Sequence, residues 1–259
     1  MDEAAMAATT DLAHVVRYAL TRGASVRLVG DDAQLASIAA GGVLRDIAAT
    51  HGAVTLTELV RFTDPAEAAA GLAIRDGDPA GIGFYLDTHR VSVGDLTTVT
   101  DTAYTGWATD RAAGRDTIML APTRELVAQL NARAQRDRLT TDGADPLSAV
   151  VTLVDGTHAC AGDLVITRRN DRRLRLWPTD WVSNGQRWTV RTVHDDGRLS
   201  VQDVANPRRR VTLPAEYVAE HVQLGYASTI HAAQGLTADT SHTVLTGTES
   251  RQQLYVALT

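Results

Sequence analysis

Several short clusters in this 259-residue chain hold the residue types that do chemistry. Asp2 and Glu3 are adjacent acids ahead of small residues. Such a pair suits a metal-and-water site, in which one carboxylate holds Mg²⁺ and the next orients or deprotonates the attacking water. A solvated tail is the plainer role for two acids at a terminus. Gly30-Asp31-Asp32-Ala33-Gln34-Leu35 puts two acids and an amide at the end of an apolar run. Leu56–Phe62 carries Arg61, whose planar, always-charged fork can bind a phosphate bidentately or simply face solvent. Leu120–Leu126 sets Thr123 and Arg124 where a strand turns into a helix. The N–H groups of that helix start suit an anion, although capping alone would explain Thr123. The longest cluster, Gly225–Asp239, gathers Ser228, Thr229, His231, Gln234 and Gly235 around one tight turn after an apolar strand. Either a ligand or the core could occupy His231.

These clusters need elements to hold them. Leu12, Val15, Val16, Ala19 and Leu20 share one helical face, with Thr10 or Asp11 as cap and Gly23 as stop. Ser25–Gly30 reads as a short buried strand ending at Asp31-Asp32. Residues 52–62 add an apolar stretch, and Asp64–Leu86 reads as helix interrupted at Gly71 and Gly77. Thr117–Ala121 is a second strand, followed through Pro122 by a helix bearing Leu126, Val127, Leu130 and Ala134. Strands feeding helices make an α/β pattern, in which ligands gather at the carboxyl ends of the strands. From Val150 the period shortens. Leu164–Ile166, Trp188–Val193 and Leu199–Val204 read as strands, with Asn184-Gly185 and Asp196-Gly197 as turns. A small all-β barrel therefore interrupts the α/β pattern, which resumes at Tyr217.

Charge is distributed unevenly. The net charge of −6 argues against a uniformly basic nucleic-acid binder. Residues 160–214, however, hold 11 arginines against 6 aspartates and no glutamate. Arg168, Arg169, Arg172, Arg173 and Arg175 lie near Trp177 and Trp181, so this stretch offers charge and stacking surfaces to a single strand. A solvated basic face is the plainer alternative. All 25 basic residues are arginine. A phosphate-binding loop of the G-x-x-x-x-G-K-[ST] type needs a lysine, and the sequence contains none. The single cysteine, Cys160, excludes an internal disulfide. No apolar run is long enough to span a bilayer, and Met1–Ala4 has no basic segment leading into an apolar one, so no signal peptide and a cytoplasmic setting without membrane contact are expected.

Taken in order, the clusters resemble the motifs of RecD-like superfamily 1 DNA helicases, most closely the helicase part of TraI/TrwC-type (MobF) conjugative relaxases. Asp2-Glu3, Gly30–Leu35, Leu56–Phe62, Leu120–Leu126, Gly225–Asp239 and Arg251–Thr259 carry the resemblance, with Gly162–Thr167 and Asn184-Gly185 matching an inserted β-barrel. The resemblance implies RecA-like P-loop NTPase motor domains, each a parallel sheet with helices on both faces. Residues 1–48 would be part of the first motor domain. Residues 49–149 and 215–259 would form the second, with 150–214 as the inserted barrel.

The family hydrolyses ATP to move along single-stranded DNA. By resemblance, Asp2 would hold Mg²⁺, Glu3 would activate water, and Gln34 and Arg61 would complete the catalytic set. Asp31, Gln34, Arg61, Gln234 and Gly235 would meet the nucleotide. Thr123, Arg124, Arg168, Arg169, Ser228, Thr229 and His231 would meet DNA. The resemblance starts at the second nucleotide motif and stops one residue short of the arginine finger, and Ala232 replaces the usual basic residue after the histidine. A fragment that neither binds ATP and Mg²⁺ tightly nor hydrolyses ATP is therefore expected. An adjacent polypeptide could supply the missing motor segment. The alternatives are a non-catalytic single-stranded-DNA-binding module and an inert remnant of a disrupted gene.

Overall fold

The computed structural model describes residues 1, 3–35, 42–56, 62–141, 143 and 149–258. A single 3-10 turn, Ala4–Met6, precedes helices α1 (Thr9–Leu20), α2 (Val43–His51), α3 (Pro65–Asp76), α4 (Ala80–Asp87) and α5 (Leu96–Ala112). Strand β1 (Thr117–Ala121) leads into α6 (Arg124–Thr141). Eight strands follow: β2 (Val150–Thr152), β3 (His158–Cys160), β4 (Leu164–Thr167), β5 (Asp171–Trp177), β6 (Asp180–Val182), β7 (Arg187–Val193), β8 (Leu199–Asp203) and β9 (Arg210–Leu213). The chain closes with α7 (Ala215–His221), β10 (Val222–Leu224), β11 (Ala227–Thr229), a 3-10 turn at His231–Ala233, β12 (Thr240–Thr243) and α8 (Arg251–Leu258). Backbone contacts divide it into two compact units, Met1–Val93 with Gly247–Thr259, and Gly94–Thr246.

The first unit is helical. Helix α3 starts sharply because the Asp64 carboxylate accepts from Ala66 N at 2.8 Å and Pro65 occupies the first turn. It ends at Gly77, whose φ of 86° closes the helix in the left-handed region. Gly71 does not interrupt it, contrary to expectation, and lies buried within the helix. Ala70, Ile74, Tyr85 and Tyr255 form the core, so α3 and α4 pack with α8. The strand expected over Ser25–Gly30 is not formed either. Arg27 O and Val29 bond to Met1 and Ala4, at 2.7 to 2.8 Å, and this short pairing does not extend into a ladder.

In the second unit, β11, β1 and β12 form a parallel sheet in that order, with Ala121 opposite Thr229 and Leu120 opposite Thr243. All five β1 residues are buried, as suits a strand covered by α5 and α6. The all-β module is a five-stranded antiparallel sheet of order β10-β4-β7-β8-β9, with two-stranded ribbons β2–β3 and β5–β6. Its strands agree with the expected ones, and β10 carries the sheet past Pro214. Val165, Val190, Leu199 and Leu213 are at most 1% exposed. Each contributes about 1.5–3 kcal/mol by leaving water.

Candidate functional site

A parallel sheet presents its carboxyl ends on one edge, and in the second unit four predicted residues meet there. Thr123 and Arg124 follow β1, while Thr229 ends β11 and His231 follows it. Thr123 Oγ1 accepts from Leu126 N at 3.2 Å and so caps α6. Arg124 is exposed and has no partner among the described residues. Thr229 Oγ1 accepts from Ala232 N at 3.2 Å, which bends the chain into the 3-10 turn. His231 is not a satisfied core histidine. Its Nε2 is shielded from solvent and has no hydrogen-bond partner among the described residues. Leu236 N closes a turn onto Ala233 O at 2.9 Å. Gln234, at φ −56° and ψ 132°, and Gly235, at φ 79°, have the backbone of a type II turn, whose third residue must accept positive φ.

The cluster is pinned at both ends. Asn131, buried on α6, accepts from Tyr226 N at 3.0 Å and Ala227 N at 2.8 Å through one oxygen, and its amide faces Ala227 O at 3.3 Å. Tyr226 OH donates to Asp163 Oδ1 at 2.6 Å. Asp163 is fully buried and also receives Gln135 Nε2 at 2.7 Å, Cys160 N at 2.8 Å and the Arg138 guanidinium at 2.9 Å. Burial and the Asp163 charge together hold the Tyr226 phenol well above its ordinary range. At the far end, Asp239 Oδ2 accepts from Asp116 N at 2.8 Å, and Asp116 is paired with the buried Arg187. Sequence reasoning did not single out Asn131, Asp163 or Tyr226. The signal for Asn131 was a poor helix former inside a helix, beside Leu130.

Ser228 departs from expectation. It is 0% exposed, and its hydroxyl accepts from Arg168 Nη2 at 3.2 Å, so no phosphate reaches it in this arrangement. Arg168 also donates through Nε to Gln223 Oε1 at 2.8 Å. Arg169 is exposed and lies 2.9 Å from His221 Nε2. On the β5–β6 ribbon Arg172 stacks 4.9 Å from the centre of the Trp181 ring, and Trp177 is half exposed.

The first unit holds the other predicted group. Asp2 and Arg61 lie outside the described residues. Glu3 is exposed and takes left-handed backbone, φ 49° and ψ 41°, just ahead of the first turn. Asp31 Oδ1 accepts from Ala33 N at 2.9 Å, and Oδ2 accepts from Gln34 Nε2 at 3.2 Å and Tyr255 OH at 2.9 Å. Tyr255, on α8, thus holds the acid beside Gln34. With no lysine, the chain has no phosphate cradle of the Walker type, and no group of three His, Cys, Asp or Glu among the described residues is placed to hold a metal.

Residues 1–96 match the AAA domain family. Over its whole length the chain is 28% identical to the probable conjugal transfer protein TraA of Sinorhizobium fredii and to the conjugal transfer protein TraA of Agrobacterium fabrum. The backbone resembles a Pif1 helicase from Bacteroides in complex with ADP-AlF3 and single-stranded DNA, with a TM-score of 0.61 and 20% identity over 99% of this chain and 66% of that one. Pif1 helicase from Candida albicans gives 0.55 and 16%, over 99% and 67%. The first part of the chain thus matches the AAA domain family, and its whole length is similar to conjugal transfer TraA proteins. The likeness to the Pif1 structures is one of fold, and the chain spans 23% of the length of the TraA relatives. No helix among the described residues is long and apolar enough to cross a membrane.

Proposed function

We propose that this chain is the part of a DNA helicase of conjugative-relaxase type that grips single-stranded DNA and relays nucleotide state to that grip. In this reading residues 1–48 belong to the first motor domain, 49–149 and 215–259 to the second, and 150–214 to an inserted β-module. One observation carries the reading: Thr123, Arg124, Thr229 and His231 converge at the carboxyl edge of the parallel sheet, on a turn pinned at both ends. Threonine hydroxyls and the exposed Arg124 guanidinium there can meet successive phosphates, with the His231 ring packed beneath them. Asp31, Gln34 and Tyr255 form the sensing cluster, and Asp2, Glu3 and Arg61 are assigned to it by motif order. Because the 259 residues contain no lysine, hydrolysis would need a phosphate cradle supplied by another segment or an adjacent polypeptide. Taken alone, the chain would act as a single-stranded-DNA-binding module in the cytoplasm.

The experiment is equilibrium binding of an oligothymidylate across a range of salt. Arg124→Gln weakens binding and lowers the slope of log K against log salt by about 1, as loss of one phosphate contact requires. An unchanged slope and affinity would remove Arg124 from the site.

A further inference from the structure

Arg168 was expected to meet DNA, but its guanidinium is committed elsewhere. It follows β4, and its backbone N donates to His221 O at 2.8 Å. From there the side chain crosses β10, where Nε donates to Gln223 Oε1 at 2.8 Å. It continues to β11, where Nη2 donates to the buried Ser228 hydroxyl at 3.2 Å. Nη1 reaches the Ala232 carbonyl, in the 3-10 turn after β11, at 3.5 Å. One side chain therefore joins the five-stranded sheet to the strand and turn that bear Thr229 and His231.

We infer that Arg168 is a positioning residue: it holds the Ser228–Ala232 turn in register with the inserted β-module, and the grip of that turn on single-stranded DNA depends on it. Thr229 and His231 stand between its two attachment points, Ser228 and Ala232. Movement of the β-module is then transmitted to the turn, and strand engagement at the turn is transmitted back. A planar fork suits this role because it addresses three acceptors from one rigid head. The inference rests on the single-stranded-DNA reading above for its consequence, but the tie itself is independent of DNA.

Two readouts separate these. The first is amide exchange without DNA, in which Arg168→Gln should speed exchange over residues 230–236 and leave β7 and β8 unchanged. Ser228→Ala, a one-atom deletion at a residue DNA cannot reach, should do the same, and it serves if Arg168→Gln does not fold. Unaltered exchange in both variants overturns the tie. The second readout is oligothymidylate binding against salt. Each variant should lose about tenfold in affinity with an unchanged salt slope, and the double variant should be no worse than either single one. A slope lower by about 1 in Arg168→Gln, with Ser228→Ala unaffected, would make Arg168 a phosphate contact and overturn the inference. If the wild-type chain binds no oligonucleotide, the functional reading fails, while the exchange result still decides the tie.

Discussion

At the residue scale, the buried polar groups around Tyr226 carry the largest consequences, because an unpaired group there has no water to turn to. Asn131 satisfies two backbone N–H groups with one oxygen, at 3.0 and 2.8 Å. Asn131→Ala leaves both donors stranded, at about 1–3 kcal/mol each. Urea unfolding should show a loss in that range, and a change below about 0.5 kcal/mol would contradict the assignment. Asp110 gives a prediction in pH. Burial pushes its carboxyl up, but hydrogen bonds from groups including His242 and Arg115 outweigh burial and leave the carboxyl below its ordinary value. A lowered folded-state value means stability that is present above the ordinary carboxylate range and lost as pH falls through it. The wild-type Tm should drop more steeply than that of Asp110→Asn below about pH 4, and parallel curves would refute the pairing. None of these partners is visible in sequence. Asp163 and Tyr226 are 63 positions apart and Asn131 and Tyr226 are 95 apart, so only the fold brings them together.

At the element scale, local signals specified strands and turns better than they specified the Thr-rich helix. β1, β4, β7 and β8 stand where apolar runs and Asn-Gly or Asp-Gly turns placed them. Helix α5 was not legible, because its sequence is crowded with β-branched threonines that disfavour helix. Its Asp95 cap, at 2.8 Å from Thr98 N, and the burial of Tyr104 and Trp107 override that preference. The strand expected at Ser25–Gly30 failed for the opposite reason: its composition was right, but the residues beside it make too few bonds for a ladder. Gly225 shows how closely two elements approach. A Cβ there would lie 2.8 Å from the Val165 carbonyl carbon, with Val165 O and Ile166 N within 3.1 Å. Since backbone cannot swing aside, Gly225→Ala must displace the entry to β11 from β4. About 1–3 kcal/mol of destabilisation follows, together with faster exchange over Ala227–Thr229, whereas unchanged stability would deny the close approach.

At the scale of the whole molecule, sequence motifs anticipated the likeness to conjugal transfer proteins and the positions of Thr123 and Thr229 at strand ends, because those clusters are contiguous in the chain. Contiguity says nothing of which way a side chain turns, as Ser228 and Arg168 show. Ser228 and Arg168 sit in motif-like positions, yet they turn inward and bind each other. Backbone contacts divide the chain after Val93 and after Thr246, limits that no local signal in the sequence marks. The absence of lysine has the widest consequence. Phosphoryl transfer depends on charge preorganised around the transferred group, and these 259 residues contain no lysine of the kind a Walker loop uses for it. Purified alone, the chain should show no DNA-stimulated ATP turnover above background. Turnover that Glu3→Gln abolishes would contradict that. The central claim, that the carboxyl edge of the β11-β1-β12 sheet grips a single strand, is tested most directly by equilibrium binding of an oligothymidylate at several salt concentrations. Saturable binding should weaken linearly in log salt, with a slope lowered by Arg124→Gln; absence of binding at low salt would show that the strand ends hold no DNA.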